Sequence, residues 1–302
     1  MGVIGTFVWD VIHGPDGGAP VESWGGITYG LSGLDVALPY DWEIVPLIKV
    51  GADLAREAEM FLATLRHVAP DAALLVVAEQ NNRCELRYYS GDERTERLSG
   101  GVPAWAWQEL RPALDRARID ALYVNFLSGW ELDLETATRL RAGFPGTIYC
   151  DLHMAAWAVE PSGIRELRPF DDAAAWCRCV DLLQVNEDEM RMVAPDAERF
   201  GRLAIDSGVR CAMVTLGRRG VRWFSPSGTG VVAPAEIQEG PGVDPTGCGD
   251  VWGATMFARV LAGDHLEQAM RAANAMAGRN AAYRGATGLA AWLARVDYGQ
   301  TR

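Results

Sequence analysis

Gly242-Val243-Asp244-Pro245-Thr246-Gly247-Cys248-Gly249-Asp250 runs straight into Val251-Trp252-Gly253-Ala254-Thr255-Met256-Phe257-Ala258. Glycines and small residues open a helix here, so backbone N–H groups lie uncovered at its positive end. Asp250 falls in the first turn. An anion cradle beside a carboxylate suits a phosphoryl group held by the one and a hydroxyl proton taken by the other. The plainer alternative is a carboxylate that only complements the helix dipole, worth about 0.3–1 kcal/mol.

Working outward, helical patterns cover about 248–262 and 265–284, the second rich in small residues (Ala272, Ala273, Ala275, Ala277, Gly278, Ala281, Ala282). Small side chains admit a flat ring or a second helix equally well. Upstream, strand patterns at 121–126, 147–151, 181–185 and 210–216 are separated by helical stretches such as 132–142 and 196–207. Repeated βα units imply a mainly parallel sheet with helices on both faces, and ligands on such sheets gather at the carboxyl ends of the strands. Asn125, Asp151, His153, Asn186 and Gly217 fall at those ends.

The amino-terminal third reads as a buried strand at 2–8, dense turn chemistry at His13-Gly14-Pro15-Asp16-Gly17-Gly18, and a glycine-rich helix from Gly25-Gly26 to about Ala37. A strand at 43–50 and a helix at 53–67 follow. The apolar run 73–78 suits a strand buried on both faces. Between 81 and 101 the alternation changes to that of an exposed hairpin, with a turn at Ser90-Gly91-Asp92-Glu93. Together with the early hairpin it could form a small sheet outside the main core. Such a sheet is either a lid that keeps water from a phosphoryl-transfer site or surface decoration. Six tryptophans (Trp9, Trp24, Trp105, Trp107, Trp130, Trp157) are aromatic candidates for that pocket or lid, or anchors of the core.

The 302 residues suffice for one large α/β core. Lys plus Arg total 28 against 40 Asp plus Glu, a net charge of −12 with no basic cluster, which disfavours nucleic acid or an anionic membrane as partner. No apolar run approaches the roughly 20 residues that span a bilayer, and the start lacks a basic leader. The six cysteines show no zinc spacing, and a chain this long needs no disulfide staples, so reduced thiols in a cytoplasm are expected.

Asp244-Pro245-Thr246-Gly247-Cys248-Gly249-Asp250 resembles the D-T-x-G-A-G-D signature of the PfkB/ribokinase family, with Pro245 and Cys248 as departures. Asn186-Glu187-Asp188-Glu189 is similar to its N-x-x-E, and Thr215-Leu216-Gly217-Arg218-Arg219-Gly220 to its T-x-G-x-x-G. Three motifs in order weigh far more than one. The resemblance implies a ribokinase-like three-layer sandwich, α/β with a central mainly parallel sheet and a small β lid, formed by one domain over 1–302 with the lid at about 11–24 and 81–101. It implies Asp250 as catalytic base with Gly247, Cys248 and Gly249 as the backbone anion hole. Asn186, Thr215, Gly217, Gly220 and Asn274 would serve an ATP donor, and Glu189 would organise Mg2+ through water.

Gly5-Thr6-Phe7-Val8-Trp9-Asp10 resembles the family's G-x4-D, and Trp24-Gly25-Gly26 its substrate-contacting G-G. Asp10, Gly25, Gly26, Tyr29, Asp151 and His153 are therefore expected around the acceptor, and a carboxylate that accepts two hydrogen bonds suits the vicinal hydroxyls of a sugar or nucleoside. Two positions depart from the pattern. Gly30 stands where sugar-kinase relatives commonly carry Asn, and Asp151-Leu152-His153 where many read D-x-N. His153 would meet an anionic group when protonated, or accept a hydrogen bond when neutral. The expected activity is ATP-dependent phosphorylation of a sugar-like or nucleoside-like hydroxyl, with a homodimer through the lid edges. A catalytically quiet ligand-binding protein of the same fold is the alternative, and a nicotinamide oxidoreductase is disfavoured because no G-x-G-x-x-G follows the first strand.

Overall fold

The computed structural model describes residues 1–14, 17–90, 93–235 and 243–295. Gly242 and the expected turn tips at Pro15-Asp16 and Gly91-Asp92 lie outside the described residues. In chain order the strands are β1 (Gly2–His13), β2 (Val21–Gly26), β3 (Val45–Gly51), β4 (Leu75–Val77), β5 (Arg83–Ser90), β6 (Glu93–Ser99), β7 (Ala121–Asn125), β8 (Thr147–Asp151), β9 (Trp157–Val159), β10 (Arg165–Leu167), β11 (Leu182–Asn186), β12 (Cys211–Thr215), β13 (Val221–Ser225) and β14 (Gly228–Val232). The helices are α1 (Ile27–Ala37), α2 (Ala55–Leu62), α3 (Trp107–Arg116), α4 (Leu134–Gly143), α5 (Ala173–Cys177), α6 (Glu187–Val193), α7 (Ala197–Asp206), α8 (Cys248–Leu261), α9 (Leu266–Asn280) and α10 (Leu289–Leu293).

The central sheet runs β14-β13-β12-β11-β8-β7-β1-β3-β4. It is parallel from β4 to β12 and antiparallel where β13 and β14 close the edge. Successive side chains of a strand face opposite ways, and the two faces bury separate cores. Val3 of β1 joins Leu31, Leu34, Phe257 and Met270 beneath α1, α8 and α9. Ile4 joins Leu110, Leu140 and Phe200 beneath α3, α4 and α7 on the other face. This is the expected three-layer sandwich.

β1 is one continuous strand of 12 residues, where the sequence suggested a strand at 2–8 and a separate hairpin. Its first half pairs in parallel with β3 and β7; its second half pairs antiparallel with β2 and parallel with β5, which carries β6. The strand thus leaves the core sheet and becomes the spine of a smaller one, whose inner face buries Val8, Cys84, Leu86 and Leu98. Buried Asn81 and Asn82 tie the root of this lid: Asn81 Nδ2 donates to Phe7 O (3.0 Å), and Asn82 Nδ2 to Ser128 Oγ (2.6 Å).

Three further features are local. The apolar run at 73–78 forms only β4, an edge strand with Leu75 and Val76 exposed, because no strand pairs beyond it among the described residues. Gly217-Arg218-Arg219 forms a single helical turn inside the tight antiparallel β12–β13 hairpin, ahead of Gly220. The short antiparallel pair β9 and β10 was not expected, since strands of three residues leave no periodic trace. It reaches the lid, with Leu98 N donating to Gly163 O (2.8 Å).

α1 and α8 pack closely because Gly33 faces α8. A Cβ there would lie 3.1 Å from Ala254 Cβ and 3.3 Å from the Val251 backbone. Gly33→Val should therefore lower stability by about 1–3 kcal/mol through overpacking. The urea midpoint measures it, and an unchanged midpoint would mean the two helices have room to separate.

Candidate active site

The site is a cleft at the carboxyl ends of the parallel strands, roofed by the lid. A cavity of about 380 Å³ is lined by Asp10, Gly26 and Tyr29 from the amino-terminal segment, by Asp151, His153, Asn186 and Glu189 from strand ends, and by Gly247 to Asp250. A second cleft of about 220 Å³ is lined by Gly217, Arg218, Gly220, Trp252, Asn274 and Ala277. Thr215, Gly217, Pro245, Cys248 and Gly249 line both. The amino terminus of α8 is therefore the wall shared by the two.

The loop before α8 is anchored from α9. Asp244 N donates to Ala281 O (2.9 Å), Asn280 Nδ2 to Thr246 O (2.8 Å), and Thr246 N to Asp244 Oδ1 (3.0 Å). Gly247 caps the helix in the left-handed region (φ 73°), and a Cβ on it would lie 2.1 Å from the Tyr29 ring, so only glycine lets Tyr29 pack there. The Cys248 N–H donates to Pro245 O (3.1 Å), which leaves the amides of Gly247 and Gly249 as the cradle's donors. Cys248 Sγ sits against Ala277 O (3.4 Å); burial pushes its thiol up to about 11, so it stays a neutral small residue.

Asp250 is buried, and its Oδ1 accepts from Asn125 Nδ2 (2.7 Å) at the end of β7. Burial raises its carboxyl above the usual range, offset in part by His153 and the Asn125 hydrogen bond. Asp151, also buried and raised, accepts from Gln184 Nε2 (2.9 Å) and the His153 N–H (3.2 Å). Gln184 spans the site: Nε2 also donates to Gly249 O (3.1 Å), while its Oε1 accepts from Tyr149. It was not singled out from the sequence, although a glutamine inside the apolar run of β11 is a legible signal.

Asn186 and Glu189 form a capping box on α6. Asn186 Oδ1 accepts from the N–H groups of Asp188 and Glu189 (both 2.9 Å), and Glu189 Oε2 accepts from Asn186 N (2.8 Å). Glu189 Oε1 is taken by Asn186 Nδ2 (2.6 Å) and His153 Nδ1 (2.9 Å). With both oxygens engaged and the side chain buried, Glu189 does not fit direct metal ligation. Among the described residues no group of three or more His, Cys, Asp and Glu could hold a metal ion.

On the acceptor side, Asp10 is buried in the lid half of β1 and lies over Gly25, where a Cβ would come within 1.9 Å of its Oδ2. Gly30 does not line the cavity. It faces the Tyr123 ring, 3.4 Å from where a Cβ would stand, so Tyr123 fills the space beside it. The six candidate tryptophans do not line the cavity either; Trp9, Trp24 and Trp130 pack within the core and lid. On the donor side, the Asn274 amide is used internally, accepting from Trp252 Nε1 (2.7 Å) and donating to Ala233 O (2.6 Å), so it positions Trp252 in the second cleft.

Fold and cleft together define a ribokinase-type α/β protein. Residues 153–292 match the sequence profile described as pfkB family carbohydrate kinase. Similar solved structures include a pyrophosphate-dependent kinase in the ribokinase family complexed with a pyrophosphate analog and myo-inositol (TM-score 0.77, 17% identity, covering 94% of this chain and 96% of that one). A Burkholderia thailandensis nucleoside kinase in complex with inosine (0.73, 15%, 96% and 93%) and a Thermotoga maritima ribokinase (0.67, 17%, 97% and 97%) share the fold. The chain thus carries the PfkB kinase sequence pattern over residues 153–292 and shares the ribokinase fold along nearly its whole length.

Burial disfavours charge on His153, but the Glu189 hydrogen bond, followed by the charges of Glu189, Asp250 and Asp151, pushes its pKa up to about 10. A pKa raised on folding gives stability that is complete below the unfolded value near 6.5 and is lost as pH rises through about 10. The melting-temperature gap between the wild type and His153→Gln should therefore be constant below about pH 6.5 and shrink toward pH 10. A gap independent of pH would show that His153 is neutral in the folded protein.

Proposed function

We propose that the protein transfers the γ-phosphoryl group of ATP to a hydroxyl of a sugar-like or nucleoside-like molecule. The observation that carries this reading is the placement of Asp250, buried and oriented by Asn125, at the wall shared by a carboxylate-lined cavity and a second cleft. The acceptor binds in the first, where Asp10 accepts hydrogen bonds from its hydroxyls. Asp250 takes the proton of the attacking hydroxyl, and its raised pKa brings it closer to the ambient pH at which a general base works best. The Gly247 and Gly249 amides and the α8 dipole stabilise the charge of the transferring group.

The second cleft supports a nucleotide donor. Pro234, Ala235, Trp252, Ala277 and Ala281 give it an apolar wall that suits a flat base, while Arg218 supplies a cation for phosphates. The pyrophosphate-dependent relative makes pyrophosphate the rival donor. Mg2+ would neutralise charge on the donor phosphates, with Asn186 and Glu189 orienting its waters at most. A homodimer through the lid is part of the proposal: beyond β2, whose Val21 is exposed, no strand pairs among the described residues. A monomer in solution scattering at working concentration would refute it. The cysteines are all unpaired, which supports a reducing, cytoplasmic setting.

Asp250→Asn should lower turnover on a hydroxyl-metabolite panel by on the order of 10²–10⁴. It should leave the melting temperature equal or higher, because the raised pKa makes the buried carboxylate a net cost at neutral pH. Retained turnover would remove Asp250 from the base role. Running the panel with ATP and with pyrophosphate decides the donor, and preference for pyrophosphate would overturn the nucleotide assignment.

A further inference from the structure

Arg165 enters the acceptor cavity from β10, and nothing in the chemistry above uses it. Its side chain is 4% exposed. Nη2 donates to Leu127 O (2.7 Å), while Nε has no hydrogen-bond partner. Nη1 stands 3.8 Å from Oε2 of Glu96, which comes from lid strand β6 and lines the same cavity. That distance is an ion pair but too long for a hydrogen bond. A buried guanidinium is costly unless its donors are matched, so one left short of acceptors marks a place where a ligand completes the set.

We propose that Arg165 and Glu96 form a hydroxyl-reading pair at the wall of the acceptor cavity, selecting an uncharged polyol over phosphorylated or carboxylated sugars. This rests on the reading of the cavity as the acceptor site of a kinase. A hydroxyl accepts from a guanidinium through its lone pairs while donating its proton to a carboxylate, so it supplies the acceptor that Arg165 Nε lacks and reads Glu96 at the same time. A phosphate or carboxylate would satisfy Arg165 alone and would meet like charge from Glu96 and Asp10 in the same cavity. The pair is held in place independently of its side chains. Leu98 N donates to Gly163 O (2.8 Å) and Arg97 Nε to Ser162 O (2.7 Å), which lock the β9–β10 turn onto β6. Glu96 rides on the lid and Arg165 on the core side, so an acceptor hydroxyl that bridges them also links the lid to the body.

The test is calorimetric titration of the full chain with uncharged probes (D-ribose, D-glucose, myo-inositol) and anionic ones (glucose 6-phosphate, gluconate), alongside turnover with ATP or pyrophosphate. At least one uncharged probe should bind the wild type more tightly than any anionic probe. Arg165→Met should weaken that binding tenfold or more and Arg165→Lys by less, with donor affinity changed under threefold. Glu96→Gln should shift preference toward the anionic probes by fivefold or more, and this variant carries the test if Arg165→Met fails to fold. Tighter binding of anionic probes, no binding of any uncharged probe, or wild-type affinity in folded Arg165→Met would overturn the proposal, as would unchanged preference in Glu96→Gln. Binding and transfer fail separately: uncharged probes that bind through Arg165 without being phosphorylated would sink the kinase reading and leave the pair standing.

Discussion

Three carboxylates, from Asp151, Glu189 and Asp250, are buried beneath one cleft, and the rest of the site follows from keeping them there. Burying an unpaired carboxylate is prohibitive, so each must find donors or give up its charge. Each receives a different solution. Glu189 is enclosed by the Asn186 cap and His153, Asp151 by Gln184 and a backbone N–H, and Asp250, among the described side-chain hydrogen bonds, by Asn125. The least enclosed of the three is the one placed against the cradle, which leaves it the most capacity to accept a proton from a ligand. His153 supplies the local positive charge, in a place where the related pattern carries a neutral amide.

Strand β1 gives this network its geometry. Because the same strand is an interior strand of the core sheet and spine of the lid, Asp10 stands at a fixed distance along a rigid element from the residues that pack under α8. A lid on a flexible linker would pay ordering entropy each time it met a ligand. Here the paired strands and the Asn81 and Asn82 tethers have already fixed its root.

The sandwich and the catalytic end of the cleft were legible because they are written locally. The βα alternation follows hydrophobic periodicity, and Gly247 to Asp250 sit in one helical turn, so spacing alone brings them together. Asn125 was placed at a strand end, but nothing local says that it faces Asp250, which is 125 positions away. Gln184 left a signal, a polar residue in an apolar strand, that reading by motif passed over. Arg165 left none: it is an ordinary arginine in a loop-rich stretch until three-residue strands carry it under the lid. The misreading at 73–78 has the opposite cause, since an apolar run records hydrophobicity but not whether a neighbouring strand exists to cover it.

The division of labour along the chain explains where such signals are strong. The family profile matches 153–292, which contributes α6, the Thr215-to-Gly220 turn and α8: the proposed donor side and base. Transfer of a phosphoryl group demands much the same cradle and base whatever the acceptor, so this half must obey a shared pattern. Residues 1–152 lie outside the match and contribute Asp10, Gly26, Tyr29, Glu96 and Asp151 to the proposed acceptor cavity. An acceptor wall answers only to the shape and hydrogen bonding of one ligand. The departures at Gly30 and His153 flank that wall, one filled by Tyr123 and one paired with Glu189. Both close off space or charge that the motif alone would leave open, so the surroundings of the proposed acceptor wall are set by how neighbouring side chains take up each departure.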